Sequence, residues 1–384
     1  MAKVLLGDVV AHIKDKVDKD TTDLEFYVGG EHIDGDEITV RRRGRIEGST
    51  IGPAFHMRFQ QGDVLLMSRN PHLRKASMVD FDGICSDVSY VCRTKDNDVL
   101  LQSLLPFILQ TPEFWQFAEE NKKGGLPFFL NWKDFARFEF ELIPIERQRQ
   151  ISDLLWAMER VKNAYRELIA RTDDLVKSQF IEMFGEPNRQ SAKWNTKPFS
   201  ALTDSFDKSR KPVKEGDRQK MKGPYPYYGA TGIVDYVNDY RLDGDFLLIS
   251  EDGKALEFRN YDIAFIASGK IWVNNHAHVV QCHDEITLNY LRYYFKYLDI
   301  SKWVTGIDQK KLNRENLDTI PIMVPPREVI DTFDRFVEQS DKSKFAGANR
   351  NLSRCSGIPW ITRWNGKNAS YSNSYLGIAR SVTA

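Results

Sequence analysis

One sequence motif occurs twice in this chain, and the fixed distance between its copies constrains the fold more than any other feature. Gly62–Ser68, with the sequence GDVLLMS, recurs as GDFLLIS at Gly244–Ser250, 182 residues later. Other short matches share this spacing, and separate matches at one spacing predict two copies of a single structural plan. These matches are Gly124 with Gly306, Leu130-Asn131 with Leu312-Asn313, Pro144 with Pro326, and Glu146 with Glu328.

Each copy is predicted to consist of a mixed globular part, at 1–143 and 187–325, followed by a helix. Short apolar or alternating runs bounded by Gly, Asp and Asn predict strands, and two longer stretches predict helices inside the globular parts. The predicted strands include Asp63–Met67, Phe246–Ile249 and Ile271–Val280, and the predicted helices are Leu100–Glu120 and Leu288–Leu298.

A much longer helix is predicted at 144–186. Apolar residues recur from Ile151 to Met183, mostly three, four or seven positions apart, without an interior Gly or Pro. A helix of about 40 residues spans about 60 Å at 1.5 Å per residue. Its apolar side needs a partner, most simply a second long helix. The apolar pattern after Pro326 supplies that partner.

The second long helix is predicted to be short, at 326–345. The following residues, 346–384, contain neither Asp nor Glu and are rich in Ser, Asn and Gly. This composition disfavours a helix. We therefore expect an atypical, irregular tail in place of a full repeat of the first helix.

The overall charge does not by itself indicate a nucleic-acid-binding protein. Lys and Arg number 54, Asp and Glu also number 54, and the formal net charge is +0. Non-specific DNA affinity comes from the neutralisation of phosphates. Basic residues do cluster at 41–45 and 208–222, although a solvated charged face is the favoured explanation for either cluster taken alone.

Cysteine spacing and hydropathy point to the cytoplasm. None of the four cysteines belongs to a Cys-x-x-Cys pair, which argues against a disulfide framework and against a zinc ribbon. No apolar run reaches the roughly 18 residues that a membrane span requires. The amino-terminal residues are charged too early for a signal peptide.

Catalytic motifs are missing from the sequence. An amino-methyltransferase needs an Asn/Asp-Pro-Pro-aromatic tetrapeptide, and the nearest string is Asn70-Pro71-His72-Leu73. Gly269-Lys270 lacks the rest of a phosphate-binding loop. The pair His276 and His278 would share one strand face but lacks further ligands at zinc spacing. We therefore expect no catalytic residue, no metal and no cofactor. A stand-alone restriction or methylation enzyme, and a helical scaffold without DNA binding, are the alternative hypotheses.

Four motifs in the second copy carry a resemblance to a known family, and the segment Leu142–Gln148 in the first copy adds to it. On these residues the chain resembles the specificity subunits of type I restriction–modification systems. The resemblance extends from residue 1 to about 345. The four motifs are YPYYGATGIVDY at Tyr225–Tyr236, GDFLLISEDG at Gly244–Gly253, ASGK at Ala267–Lys270 and NNHAHV at Asn274–Val279.

The resemblance implies an α+β fold. It implies two tandem α/β target recognition domains, each followed by a long helix, with the helices paired as an antiparallel coiled coil. Each domain would read one half of a bipartite site in double-stranded DNA, and the helices would set the unread spacer. Methyltransferase subunits would dock on the helices, and a motor–nuclease subunit would join for restriction. The shortened second helix is expected to weaken the docking of the second methyltransferase copy.

Candidate DNA-contacting residues lie in loops near the ends of predicted strands, where binding residues commonly occur. Asn side chains suit adenine edges, and Lys side chains suit phosphates. A structural or solvated role is equally compatible with each residue taken alone. The candidates are Ser68, Arg69, Asn70, Arg74, Lys75, Lys122 and Lys123 in the first copy, and Tyr227, Tyr228, Thr231, Lys270, Asn274, Asn275, His276, Gln309, Lys310 and Lys311 in the second.

Overall fold

The computed structural model describes residues 2–189, 193–259, 261–306 and 309–355, without the side chains of residues 2, 254 and 343–355. The chain divides into two compact units, Met1–Ala164 and Tyr165–Ala384. The boundary falls inside one long helix, so each unit contains a globular part and a share of that helix.

The first unit is built mainly from short strands. Its strands are β1 (Ala2–Leu5), β2 (Val10–Ile13), β3 (Phe26–Val28), β4 (Gly44–Arg45), β5 (Phe55–Phe59), β6 (Val64–Met67), β7 (Ala76–Met78), β8 (Gly83–Ser86), β9 (Ser89–Thr94) and β10 (Glu139–Leu142). Its shorter helices are α1 (Leu6–Val9), α2 (Leu105–Leu109), α3 (Pro112–Asn121) and α4 (Trp132–Phe135).

The long helix α5 (Ile145–Phe184) leads into the second unit. The strands that follow are β11 (Thr196–Pro198), β12 (Thr203–Ser205), β13 (Lys222–Gly229), β14 (Gly232–Val237), β15 (Leu242–Ser250), β16 (Ala264–Val273), β17 (Ala277–Cys282) and β18 (Pro321–Met323). The helices that follow are α6 (Glu215–Lys220), α7 (Lys254–Phe258), α8 (Leu288–Tyr297), α9 (Arg314–Asp318) and α10 (Arg327–Cys355).

The predicted repeat is present as a repeated sheet plan. In the first unit the sheets have the orders β2-β9-β6-β7 and β4-β3-β8-β5, and β1 pairs with β10. In the second unit one sheet has the order β12-β17-β15-β16-β13-β14, and β11 pairs with β18. The pairs β6·β9 and β15·β17 are both antiparallel, whereas β3·β8 and β13·β16 are both parallel.

The strand pairing of the second unit is shifted by one residue relative to the alignment that the repeated sequence motif gives. Val64 pairs with Cys92 in the first unit, and Leu247 pairs with Val280 in the second. At the ends of these ladders the Ser68 amide donates to Val88 at 3.0 Å, and the Glu251 amide donates to His276 at 2.9 Å. Ser68 therefore corresponds to Glu251, because one extra residue separates the repeated glycine from the ladder in the second unit.

Side-chain contacts hold the long helix α5 in place within each unit. In the first unit the Gln148 side chain of α5 accepts from the Leu101 amide at 3.0 Å and donates to the Val99 carbonyl at 2.8 Å. In the second unit Phe180 and Phe184 of α5 are fully buried and lie against Phe333 of α10. Burial of such aromatic side chains contributes about 2–3 kcal/mol each.

Two predicted elements are interrupted in the structure. The predicted strand Ile271–Val280 is split into β16 and β17 by a turn at 274–276, because the Asn274 side chain accepts a hydrogen bond from the His276 amide at 2.8 Å. The predicted helix Leu100–Glu120 is split into α2 and α3. The Thr111 hydroxyl caps α3 by accepting from the Phe114 amide at 3.3 Å, which starts a new helix.

The second long helix extends further than its predicted end at residue 345. Helix α10 continues to Cys355, through the first ten residues of the predicted tail. A single interior Gly costs only about 1 kcal/mol relative to Ala, and Ala346, Ala348 and Leu352 favour a helix. The rest of the predicted tail, 356–384, lies outside the described residues. No helix in the described part of the chain is long and apolar enough to cross a bilayer.

Candidate nucleic-acid interface

Several loops of the second unit meet at the end of β15. The Glu251 amide donates to the His276 carbonyl at 2.9 Å, and the Leu312 amide donates to the Glu251 carbonyl at 2.8 Å. The Ser250 hydroxyl donates to the Ala230 carbonyl at 2.6 Å. These bonds join the β13–β14 hairpin tip, the β16–β17 turn and the segment before Leu312. We call residues 228–232, 250–252, 274–276, 305–306 and 309–312 the second loop cluster.

Most of the sequence-predicted residues of the second unit belong to this cluster, and their exposure differs. Tyr227, just before the cluster, is buried at 1% exposure, and its hydroxyl accepts from the Val213 amide at 2.9 Å. Asn274 is buried at 8% and supports the turn. Tyr228 is half-buried against Phe265. The exposed members are Thr231, Asn275, His276, Gln309, Lys310 and Lys311.

A buried ionic network lies beneath the cluster. His278 Nδ1 lies 2.7 Å from Asp207 Oδ2, and its Nε2 lies 2.9 Å from the Leu312 carbonyl oxygen. Arg210 Nη1 lies 2.5 Å from Glu251 Oε2. Lys311 Nζ lies 3.0 Å from Glu251 Oε1. The network therefore runs from the buried core to an exposed lysine of the cluster.

Both carboxylates of this network are stabilised in the charged form. Burial opposes the charge on Asp207, but the hydrogen bond and positive charge of His278 lower its pKa below the ordinary value. Burial also opposes the charge on Glu251, and hydrogen bonds from Arg210 and Lys311 lower its pKa. Ion pairs that are half-buried and hydrogen-bonded in this way fix the geometry of the loops above them.

The basic segment 208–222 begins beside the cluster. The Lys211 amide donates to the Val273 carbonyl at 3.0 Å, and the Trp272 indole donates to the Lys211 carbonyl at 2.7 Å. These bonds place Lys211 next to the β16–β17 turn. Five lysines of the segment are exposed: Lys208, Lys211, Lys214, Lys220 and Lys222.

Lys270 has a different environment from the other candidates. It lies on β16 opposite Asp243, and its ammonium group is 4.7 Å from the centroid of the Tyr240 ring. None of the hydrogen bonds that join the loops of the cluster involves it.

The first unit builds the same loop arrangement. The Leu130 amide donates to the Ser68 carbonyl at 2.8 Å, matching the bond from Leu312 to Glu251. Lys123 and Phe129 exchange two backbone hydrogen bonds, as Thr305 and Lys311 do in the second unit. The Asn70 amide donates to the Phe128 carbonyl at 2.7 Å. We call residues 68–70, 86–88 and 122–130 the first loop cluster.

The side chains on this cluster differ from those of the second unit. Lys122 pairs with Glu119 at 2.6 Å and also lies over the Phe128 ring. Lys123 pairs with Asp134 at 2.7 Å. Arg69 is exposed, and Leu126 is 87% exposed at the tip of the loop. The first cluster therefore presents an apolar tip among basic side chains.

The remaining candidates of the first unit are structural in part. Ser68 is buried and donates through its hydroxyl to the Val88 carbonyl at 2.6 Å. Lys75 donates to the Gly30 carbonyl. Arg74 lies 3.5 Å from Asp36.

The arginine cluster at 41–45 is engaged in local contacts. Arg43 stacks over Phe26 with its guanidinium carbon 3.9 Å from the ring centroid. Arg42 pairs with Asp34, and Arg45 pairs with Glu25 at 2.7 Å.

Sequence reasoning missed the first-unit counterparts of the second-unit turn. The strand pairings of β8 and β9 make Asp87 and Val88 equivalent to Asn275 and His276. The offset between the copies is 188 residues at this turn and 182 residues between Leu130 and Leu312, because the connecting loops differ in length. A search at one spacing therefore finds only part of the equivalence.

The two histidines considered as zinc ligands have different partners. His276 Nδ1 lies 2.9 Å from Asp252 Oδ2, whereas His278 is bound to Asp207 and the Leu312 carbonyl. Within the described ranges, no group of three or more His, Cys, Asp or Glu side chains is arranged to hold a metal ion.

Comparisons with known proteins agree on one family. A family model described as the type I restriction modification DNA specificity domain matches residues 193–344. A relative from Haemophilus influenzae, named as a type I restriction enzyme specificity subunit, is 39% identical over 133 residues. That alignment covers 35% of this chain and 34% of the relative, so the chain matches about a third of the relative's length.

A solved structure shares the fold at low sequence identity. The crystal structure of the type I restriction–modification S subunit from M. genitalium is 15% identical, with 92% of each chain covered and a TM-score of 0.60. A chain from a structure of a type I restriction–modification system is 19% identical, with 92% of this chain and 94% of that chain covered and a TM-score of 0.46. Residues 193–344 therefore resemble the type I restriction modification DNA specificity domain, and the chain shares the fold of the S subunit from M. genitalium.

Proposed function

We propose that this chain is the non-catalytic DNA-recognition subunit of a type I restriction–modification complex. One observation carries the proposal: two units build the same loop arrangement from equivalent backbone hydrogen bonds and place different side chains on it. A repeated scaffold with different contact residues suits a protein that reads two different half-sites of one bipartite target.

The exposed members of each loop cluster are the proposed DNA contacts. In the second unit, Asn275 offers an amide for base edges, and Lys310 offers a charge for phosphates. In the first unit, Arg69 and Lys123 offer charge. Leu126 offers an apolar contact, of the kind that other DNA-binding proteins use against bases.

The buried candidates have a supporting role in this proposal. Ser68, Tyr227 and Asn274 each use their polar side-chain atom in a hydrogen bond inside the unit. They hold loop backbone in place, and their substitution would act on DNA binding through the neighbouring loops.

The partners proposed are double-stranded DNA, methyltransferase subunits and a motor–nuclease subunit, acting in the cytoplasm. The long helix α5 is the proposed docking element for methyltransferase subunits, since it carries large apolar side chains that are exposed. These are Val161 at 47%, Leu168 at 45% and Leu175 at 54% exposure.

Co-expression with a type I methyltransferase subunit, followed by sequencing of methylated bases in the host genome, tests the proposal. We expect adenine methylation at one bipartite, asymmetric sequence, and none with the methyltransferase subunit alone. Methylation that is independent of this chain would contradict the proposal, and so would methylation at a single continuous site.

A further inference from the structure

In both units a side chain contacts the carbonyl oxygen of a matched leucine, Leu130 in the first unit and Leu312 in the second. In the first unit the Tyr90 hydroxyl donates to the Leu130 carbonyl oxygen at 2.8 Å. In the second unit His278 Nε2 lies 2.9 Å from the Leu312 carbonyl oxygen. Tyr90 pairs with Leu66 in its ladder and His278 pairs with Ile249, so the two side chains occupy equivalent positions. Each ties the last segment of its loop cluster to the central sheet.

His278 differs from Tyr90 because it has a second polar contact on the other side of its ring. Nδ1 lies 2.7 Å from Asp207 Oδ2, and the side chain is only 1% exposed. Carbonyl and ionised carboxylate oxygens only accept hydrogen bonds. Both contacts are therefore hydrogen bonds only when both ring nitrogens carry protons, which makes the buried ring cationic.

Asp207 is held in place independently of the histidine. Its Oδ1 accepts from the Val279 amide at 2.8 Å, and Arg210 lies 3.5 Å from its Oδ2. Arg210 in turn donates to the Ala277 carbonyl at 3.1 Å. The carboxylate is thus a fixed acceptor that orients the ring toward the Leu312 carbonyl.

The charges that face His278 reach the surface of the second loop cluster. Glu251 Oε2 lies 3.9 Å from His278 Nε2 and is bound by Arg210. Its other oxygen is bound by Lys311. Two carboxylates and three cations, counting the protonated ring, form one connected group. If one member of this group lost its partner, the unpaired buried charge would lower the stability of the folded state, because the interior has a low dielectric constant.

We propose that His278 is the positioning residue of the second DNA interface: clamped between Asp207 and the Leu312 carbonyl as a doubly protonated ring, it sets the placement of Lys311 and the β16–β17 turn. This proposal rests on the proposed DNA-recognition function. In this proposal, discrimination between DNA sequences at the second half-site depends on the ionic contacts of His278. Discrimination at the first half-site depends on the neutral hydrogen bond of Tyr90.

Two substitutions at His278, to Phe and to Tyr, distinguish a role in hydrogen bonding from a role in filling space. His278→Phe removes both hydrogen bonds, whereas His278→Tyr supplies a hydroxyl for the Leu312 carbonyl, as Tyr90 does for Leu130. The matched control in the first unit is Tyr90→Phe. Purified full-length variants are incubated with a random-sequence duplex DNA library, and the bound sequences are read out.

The three variants should affect different halves of the selected site. We expect His278→Phe to relax base preferences in one half by about tenfold, the effect of losing one hydrogen bond to a charged group. His278→Tyr should recover part of that loss, and Tyr90→Phe should relax only the other half. Equal behaviour of the Phe and Tyr variants at position 278, with folding intact, would overturn the positioning role.

A spectroscopic measurement tests the protonation state without DNA. In the chain labelled with ¹⁵N-histidine, we expect one ring whose two nitrogens both carry slowly exchanging protons. That signal should disappear in His278→Tyr, which also covers the case in which His278→Phe fails to fold. A neutral ring at this position would overturn the ionic clamp. If wild-type protein selects no DNA sequence while the doubly protonated ring is observed, the proposed function fails and the clamp stands.

Discussion

At the scale of single residues, exposure separates the proposed reading residues from the proposed supporting residues in the second loop cluster. Asn275 and Lys310 are exposed, whereas Asn274 is buried between its turn and the Tyr228 strand end. The neighbouring asparagines Asn274 and Asn275 look alike in the sequence. Their difference arises from strand pairing with β13, which is distant along the chain. Sequence reasoning therefore found the loop and could not divide its residues by role.

Lys310→Ala is expected to weaken binding to all DNA sequences and to reduce the salt dependence of log Kd by about one unit of slope. Asn275→Ala is expected to relax preference at one base position by about 1–3 kcal/mol if its amide makes a bidentate contact. Titrations at several salt concentrations with matched and mismatched duplexes check both. Lys177→Ala, on α5 outside the cluster, is the control and should change neither quantity.

Asn274→Ala is expected to lower the free energy of unfolding by about 1–2 kcal/mol, because the His276 amide loses its acceptor in a partly buried turn. Asn274→Asp keeps an acceptor and should recover most of this loss. Denaturant unfolding measures the effect, and Asn275→Ala provides the exposed control with a change within about 0.5 kcal/mol. Equal stability of the two alanine variants would show that Asn274 does not support the turn.

At the scale of secondary-structure elements, the repeated plan and the long helix were predicted from the sequence. The predicted elements were wrong where a single side-chain hydrogen bond interrupts a strand or starts a new helix. The helix α5 occupies Ile145–Phe184, inside the predicted range 144–186. The split of Ile271–Val280 depends on one asparagine hydrogen bond, which leaves the apolar pattern of the segment unchanged. Glu251 was missed because one extra residue shifts the ladder relative to the sequence motif.

The apolar residues exposed on α5 recur every seven positions, which places them on one side of the helix. Each exposed leucine forgoes burial worth about 25 cal/mol per Å² of apolar surface, so the surface should associate with a partner or with another copy. We expect Leu168→Glu with Leu175→Glu to reduce self-association and co-purification with a methyltransferase subunit together. Light scattering and pull-down measure the two effects.

Lys177→Ala, an exposed change on the same helix, should leave both properties as in the wild type. The docking role of this surface would be contradicted if the wild-type chain were monomeric at high concentration and the double variant still bound methyltransferase.

At the scale of the whole molecule, the purified chain is expected neither to methylate nor to cleave DNA. The sequence lacks an amino-methyltransferase tetrapeptide and a phosphate-binding loop. Incubation of homogeneous protein with S-adenosylmethionine and plasmid DNA checks this, with a methyltransferase complex as the positive control. Methyl transfer or strand cleavage by this chain alone would favour the stand-alone enzyme hypothesis.

Each unit is proposed to read its own half of one target, and exchange of a single unit tests this proposal most directly. Residues 187–325 are replaced by the corresponding residues of another type I specificity subunit whose two half-sites are known. The chimera is expressed with its methyltransferase subunit, and methylated bases are sequenced. We predict that one half of the methylated sequence changes to that of the donor while the other half stays as in the wild type. A chimera that changes both halves together, or that leaves both unchanged while still methylating DNA, would contradict the account.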